Sequence, residues 1–227
     1  MAVELGLSDR EVLVFGATGA LGAAVAAYFA NMGATVRGAS WHEPAAGNRL
    51  TGVTYEAVDA TDDDALRQFF DAMAAPPWAV ISTIGGYAPK RPLAELDAAA
   101  LRHQFELNLL SAALITKHAL RVMQPAGQGR IVLTASRSAT DTAGAGYAYS
   151  VSKLGVLHLM SMAADEVRGT GVTVNCVVPS IIDTPENRAA LPNANHDAWP
   201  KARDIATSYV FLASPDAGLV NGAAIPV

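Results

Sequence analysis

After a short apolar run, Val12 to Phe15, the chain reads Gly16-Ala17-Thr18-Gly19-Ala20-Leu21-Gly22 and passes straight into a stretch of helical length. Glycine lets a backbone turn tightly and approach a pyrophosphate, whose charge free N–H groups and the positive end of the helix then meet. Gly22 lets that helix lie close to the strand. Three glycines alone also describe an ordinary strand-to-helix turn. Placed after the first strand of a strand-helix-strand unit, they make dinucleotide binding the expectation, through Gly16, Thr18, Gly19, Ala20, Leu21 and Gly22.

The same alternation of strand and helix repeats to the end of the chain. Short β-branched runs recur at Val12-Phe15, Thr35-Ala39, Val53-Val58, Ala79-Ile84, Arg130-Thr134, Val172-Val178 and Ala223-Val227, and they read as buried strands. Helix-length stretches lie between most of them: Ala20-Met32, Asp62-Met73, Glu95-Met123, Tyr147-Arg168 and Asp204-Ala213. Strands and helices at this spacing imply parallel strands with right-handed crossovers and helices on both faces, an α/β doubly wound fold. Such a sheet needs apolar side chains in quantity, and 51% of the 227 residues are hydrophobic against 16% charged. No repeat or linker divides the chain, so residues 1–227 read as a single domain. Tyr87-Pro92 and Thr184-Lys201 are least like helix or strand, and 184–201 is the candidate substrate loop or lid.

Charge narrows the partners. Twenty-one acidic against sixteen basic residues leave a net charge of -5, which argues against a general grip on nucleic acid or anionic lipid. The longest nearly apolar run, Ala20-Met32, is too short to span a bilayer, and Met1-Arg10 lacks the pattern of a secretory signal. The lone Cys176 has no disulfide partner and no metal-binding cluster appears, so the expectation is a soluble, cytoplasmic, metal-free protein.

The end of the second strand bears on which dinucleotide binds. An acid there would accept from the ribose hydroxyls and repel a 2′-phosphate, but the chain reads Arg37-Gly38-Ala39-Ser40-Trp41-His42, with no acid until Glu43. Ser40 can donate to a phosphate, and Arg37 and His42 add positive character unless Arg37 is simply a solvated strand residue. NADP(H) is therefore preferred, with NAD(H) the alternative. Asp59, before Ala60, can accept from an adenine amino group or cap the helix starting near Asp62; both roles stay open.

Tyr149 and Lys153, four apart near a helix start, share one face. An ammonium beside a phenol favours the phenolate and makes the tyrosine a usable acid or base near neutral pH. Ser136 follows the strand Ile131-Leu133, where its hydroxyl can steady a substrate carbonyl. Asn108, polar in an apolar helix, distorts that helix, makes buried hydrogen bonds, or holds a water in a proton relay ending at the lysine. Tyr147 lacks the lysine partner, because Val151 stands four positions on. Histidines 103, 118 and 158 read as exposed or core-edge helix residues, whereas His196, Asn187 and Arg188 sit in the candidate lid.

Glycine turn, Asp59-Ala60, Asn108, Ser136, Tyr149 with Lys153, and Val178-Pro179-Ser180-Ile181-Ile182-Asp183-Thr184 together resemble the short-chain dehydrogenase/reductase family from end to end. The resemblance implies a Rossmann-type sheet of about seven parallel strands, a nicotinamide cofactor and carbonyl/alcohol chemistry. It implies that Tyr149 donates the proton, Ser136 orients the substrate, Asn108 supports the relay and Lys153 also binds the nicotinamide ribose. Pro179, Ile182 and Thr184 would flank the nicotinamide. It also implies a homodimer or homotetramer pairing through the helices near Glu95-Met123 and Tyr147-Arg168. Ala20 stands where glycine is usual and Gly19 where NADP-dependent members often carry a base. The usual Asn-Asn-Ala-Gly is Ser82-Thr83-Ile84-Gly85 here; Gly85 still permits close approach to the cofactor.

Ile84-Gly85-Gly86-Tyr87 and Asp183-Thr184-Pro185-Glu186-Asn187-Arg188, with Leu191-Pro192 and Trp199, are similar to the dihydropteridine reductase branch. That branch lacks the serine at position 136 and carries an aspartate where Ser40 stands. The expectation is thus an NADP(H)-dependent oxidoreductase on a small carbonyl or imine, with dihydropteridine reductase-like activity as the alternative. A cofactor-binding sensor or structural subunit without chemistry would not need Ser136, Tyr149, Lys153 and Asn108. An epimerase would need a substrate domain beyond Val227.

Overall fold

Each apolar run becomes a strand in the computed structural model, which describes residues 5–88, 90–141 and 146–227. They are β1 (Glu11–Phe15), β2 (Thr35–Ser40), β3 (Val53–Ala57), β4 (Ala79–Ser82), β5 (Gly129–Thr134), β6 (Val172–Val178) and β7 (Ala224–Pro226). All seven run parallel in the order β3-β2-β1-β4-β5-β6-β7. Residues 1–4 of the amino-terminal stretch and Pro89 of the Tyr87-Pro92 loop lie outside the described residues.

Side-chain alternation sorts the strands onto two cores. Leu13 and Phe15 of β1 point into a cluster with Leu66, Phe70, Ile115 and Val156, whereas Val12 and Val14 join Val25, Phe29, Ile205 and Tyr209 on the other face. The first face carries α2 (Asp63–Asp71), α4 (Ser111–Ala126) and α5 (Tyr147–Glu166), and the second α1 (Ala20–Asn31) and α7 (Ala202–Ala213), numbered with α3 (Ala98–Gln104) and α6 (Pro185–Ala190). Central strands are closed to solvent on both faces. The expectation of seven buried strands fails at the edges, where β3 and β7 have only one neighbour and are largely exposed.

Three elements depart from the sequence reading. The stretch Glu95-Met123 is not one helix: α3 gives way to a π-helical turn, Phe105–Leu110, before α4 begins. Such turns insert an extra residue per turn and mark places where a side chain must be re-aimed. Residues 184–201 are not plain loop, since Thr184 caps α6 by accepting from the Asn187 N–H, and His196–Ala198 forms a 3₁₀ turn. Asp59 does not cap α2; Asp62 does, accepting from the N–H groups of Asp64 and Ala65. Among the described residues, no helix is long and apolar enough to cross a membrane.

Adjacent in the sheet but not in the chain, β1 and β4 flank the point where the winding reverses. The carboxyl ends of the strands at such a point are the usual place for a ligand in an open α/β sheet.

Candidate active site

The glycine turn follows the carboxyl end of β1, at that switch point. Gly16 has φ +85°, and a Cβ on it would fall 2.8 Å from Thr83 Oγ1. A Cβ on Gly22 would stand 2.0 Å from the Gly16 carbonyl oxygen, so only glycine lets α1 start this close to β1. Gly19 is the N-cap with no side-chain cap, no acid lies in the first turn, and Thr18, Gly19 and Ala20 are exposed while Leu21 is half-buried. Uncapped N–H groups at an exposed helix start, on a backbone that can be approached closely, fit the pyrophosphate of a dinucleotide.

Ser40 is buried at the end of β2, where its Oγ accepts from the Thr18 N–H at 3.3 Å. Its proton stays free to donate. Arg37 pairs with Glu11 at 3.2 Å and Glu56 at 3.6 Å, as a cation on an exposed flank of the sheet finds the nearest acids. Glu43 is paired with Arg49. Asp59 turns back on Thr61, accepting from its N–H at 2.8 Å and its hydroxyl at 2.7 Å, with Ala60 buried beside it.

Opposite lies the polar cluster. Tyr149 stands in the first turn of α5, half-buried, with the Ser136 side chain acting on its hydroxyl. Burial pushes the Tyr149 phenol above its ordinary value, the Ser136 hydrogen bond pulls it back, and the nearby Tyr87 pushes it up further. The expected acidification of Tyr149 by Lys153 is not what the structure shows. Lys153 is 3% exposed, and its Nζ donates to the carbonyl oxygens of Thr134 at 2.9 Å and Ile84 at 3.3 Å. These partners are neutral, and burial lowers the lysine to about 8.

Asn108 sits fully buried in the π-helical turn. Its Oδ1 accepts from the Gly86 N–H at 3.1 Å, and its Nδ2, with two protons, lies within hydrogen-bonding distance of Gln104 Oε1 (3.0 Å), Ser152 Oγ (3.1 Å) and, longest, the Gly86 carbonyl (3.3 Å). The helix-distorting and buried-bonding expectations both describe it. Its side-chain amide meets protein groups from three elements. A Cβ on Gly85 would lie 2.7 Å from Lys153 Nζ and 2.9 Å from Asn108 Oδ1, so the loop after β4 passes directly over both.

Gln104, Ser138 and Ser152 escaped the sequence reading. Ser138 Oγ lies 2.9 Å from Ser136 Oγ, and Ser152, fully buried, donates to the Tyr149 carbonyl at 2.8 Å. Gln104 lies four residues before Asn108, a spacing at which helical side chains meet, and that was the available signal.

The candidate lid binds mostly itself. Thr184 is buried, Asn187 Nδ2 donates to the Ile182 carbonyl at 2.8 Å, and Arg188 pairs with Asp183. His196 is bonded through Nε2 to the Leu191 carbonyl and packs on Trp199, so it too is occupied within the segment. Pro179 accepts at its carbonyl from the Arg137 N–H at 2.9 Å, tying the end of β6 to the turn after Ser136.

A family model described as enoyl-(acyl carrier protein) reductase matches residues 16–227. The chain is 35% identical to cis-4-hydroxycyclohexanecarboxylate dehydrogenase of Sinomonas cyclohexanicum, over 97% of this chain and 95% of that one. It is 32% identical to the mitochondrial borneol dehydrogenase of Lavandula x intermedia, over 95% and 88%. The solved short-chain dehydrogenase/reductase of Mycobacterium ulcerans superposes with a TM-score of 0.89 at 30% identity, covering 97% of this chain and 89% of its own.

Proposed function

The chain belongs to the short-chain dehydrogenase/reductase family, and from that premise we propose that it interconverts a small alcohol and its carbonyl with Tyr149 as the proton-transferring group. As a member it is an NAD(P)-dependent oxidoreductase of the CH-OH/C=O class. One observation carries the finer reading: a half-buried tyrosine acted on by Ser136, one helical turn from a buried lysine whose Nζ reaches the backbone at the end of β5 and just beyond β4.

A nicotinamide, when bound, supplies the hydride for reduction or takes it in oxidation. Everything else falls to side chains. Burial keeps the Tyr149 proton on its oxygen at neutral pH, ready to be given to a carbonyl oxygen that Ser136 steadies. Ser138 holds the Ser136 hydroxyl, and Lys153, lowered to about 8, exchanges a proton near neutrality. Gly16 through Gly22, Ser40, Asp59, Ala60, Ile84 and Gly85 line the cofactor side, with Pro179, Ile182 and Thr184 at the nicotinamide end and 184–201 over the substrate. The absence of a free acid at the end of β2 favours NADP(H), with NAD(H) the alternative; tighter binding of NADH than NADPH in a titration overturns that choice. Two relatives are named for dehydrogenating ring alcohols, which favours a cyclic carbon skeleton here. Cofactor turnover across a panel of alcohols, ketones and a quinonoid dihydropterin tests the whole reading; binding without turnover on every compound refutes it.

The same reading places the chain in a homo-oligomer in the reducing cytoplasm. Tyr147, Val151, Leu154 and Met162 form an exposed stripe along α5, with Leu110 exposed before α4. Large apolar side chains at helical spacing want a partner. Light scattering that finds only monomer overturns the assembly.

A further inference from the structure

The loop after β4 is held in place at two consecutive residues, and the third is thrown into the open. Gly85 passes too close to Lys153 and Asn108 to carry a side chain. Gly86 has both backbone polar groups bonded to Asn108, and a Cβ there would meet Leu107 Cδ2 at 2.6 Å. Tyr87 comes next, 61% exposed, with its ring edge-on to that of Tyr149 at 5.5 Å between centroids and 66° between planes. This ring offers open apolar surface directly beside Tyr149, and covering such a ring is among the larger single gains a side chain offers a ligand. It stands against the residue proposed to transfer the proton, on a backbone clamped by a buried asparagine.

We propose that Tyr87 is the specificity-determining wall of the substrate site and selects an apolar carbon ring, whose flat side packs on the Tyr87 ring while its oxygen reaches Ser136 and Tyr149. The assignment rests on the proposed roles of Tyr149 and Ser136. Its chemistry is that of a concave site where apolar surface supplies affinity and a few polar groups set orientation. Because Asn108 bonds to Gly86 on one side and Ser152 on the other, and Ser152 to the Tyr149 carbonyl, ring and hydroxyl are held by one framework. A substrate ring on Tyr87 is thereby placed relative to the reacting oxygen.

The test compares kcat/KM for cyclohexanol, propan-2-ol and threitol, with NADP⁺ and NAD⁺, in the wild type and in Tyr87→Ala, Tyr87→Phe and Tyr149→Phe. The wild type prefers cyclohexanol. Tyr87→Ala lowers the cyclohexanol to propan-2-ol ratio about tenfold, the scale of a lost hydrophobic contact in discrimination, chiefly through KM. Tyr87→Phe restores the preference, since the ring and not its hydroxyl is used. An equal fall on all three alcohols in Tyr87→Ala would overturn the inference, because Tyr87 would then act on Tyr149 and not on substrate. So would a wild type that takes propan-2-ol or threitol as well as cyclohexanol, or does not oxidise cyclohexanol. A Tyr149→Phe enzyme that keeps turning over sinks the underlying reading as well. A dead Tyr149→Phe beside an unmoved preference in Tyr87→Ala sinks the inference alone.

Discussion

Asn108, fully buried, binds Gly86, Gln104 and Ser152, while most side chains between Pro185 and Trp199 face solvent. Both regions are held by hydrogen bonds, but of different kinds. The Asn108 bonds join three separate elements in a dry interior, where each bond is strong and each unmade bond is expensive. Those of residues 184–201 run between close neighbours in water, and they are individually cheap to break. The side proposed to transfer the proton is thus over-determined, and the side proposed to cover the substrate is left adjustable. Substitutions in the first should strike turnover and folding together, and those in the second should move KM.

The sharpest break in that comparison comes at Tyr149. Phenylalanine fills the same space against Tyr87 and keeps the backbone bond from Ser152, but it has no proton to give. Turnover of Tyr149→Phe should fall about a hundredfold or more, the usual weight of general acid–base catalysis, with an unchanged melting temperature. Full activity would empty the rigid side of its purpose.

Next in size is Asn108→Ala. It leaves the Gly86 N–H and carbonyl, Gln104 Oε1 and Ser152 Oγ short of partners in a closed site, so urea unfolding should show a loss of about 2 kcal/mol together with lower turnover. A loss confined to turnover would mean that the cluster is soft, and the contrast with residues 184–201 would fail.

How much of this was legible in the sequence depends on the same division. Central strands β1, β4, β5 and β6 are buried on both faces and so read as mostly apolar, β-branched runs, and Val172–Val178 agrees to the residue even though Thr173 and Asn175 interrupt it. Edge strands β3 and β7 share the composition without the burial, because exposure depends on sheet order, and order is not a local property. Tyr149 and Lys153 announced themselves by spacing within one helix. The lysine's partners, Thr134 and Ile84, lie at the end of β5 and just beyond β4, and only the assembled sheet brings their carbonyls to it. The π-helical turn was invisible for the same reason, since what calls for it is the Gly86 backbone opposite Asn108.

Lys153 gives a smaller effect with a definite sign. Its value in the folded chain is lowered to about 8 from an ordinary 10.5, so between those limits the unfolded chain holds more protons and stability rises with pH. The contribution is complete above the unfolded value and is lost as pH falls through about 8. Measured as wild type minus Lys153→Met, unfolding free energy should therefore grow by about 1 kcal/mol from about pH 8 to about pH 9. A difference that is flat, or that shrinks over this interval, would mean that the ammonium is matched by a partner and the rigid side is less dry than its geometry implies.

The smallest effect belongs to the adjustable side. Asn187 Nδ2 ties α6 to the Ile182 carbonyl, while Asp183 accepts at its carboxylate from Arg188 and donates its N–H to the Pro200 carbonyl at 2.9 Å, closing the base of the segment. Removing one partly exposed bond from such a self-stitched loop should cost about 0.5 kcal/mol, too little to show in the unfolding of the whole chain. The loop ends converge on Thr184, beside the proposed nicotinamide end, so the same change loosens what covers the substrate. Asn187→Ala should accordingly raise KM by about two- to threefold, as that free energy implies, at nearly constant kcat. If kcat falls and KM holds, the segment belongs to the over-determined side, because only a group that positions the reacting atoms acts on turnover without acting on affinity.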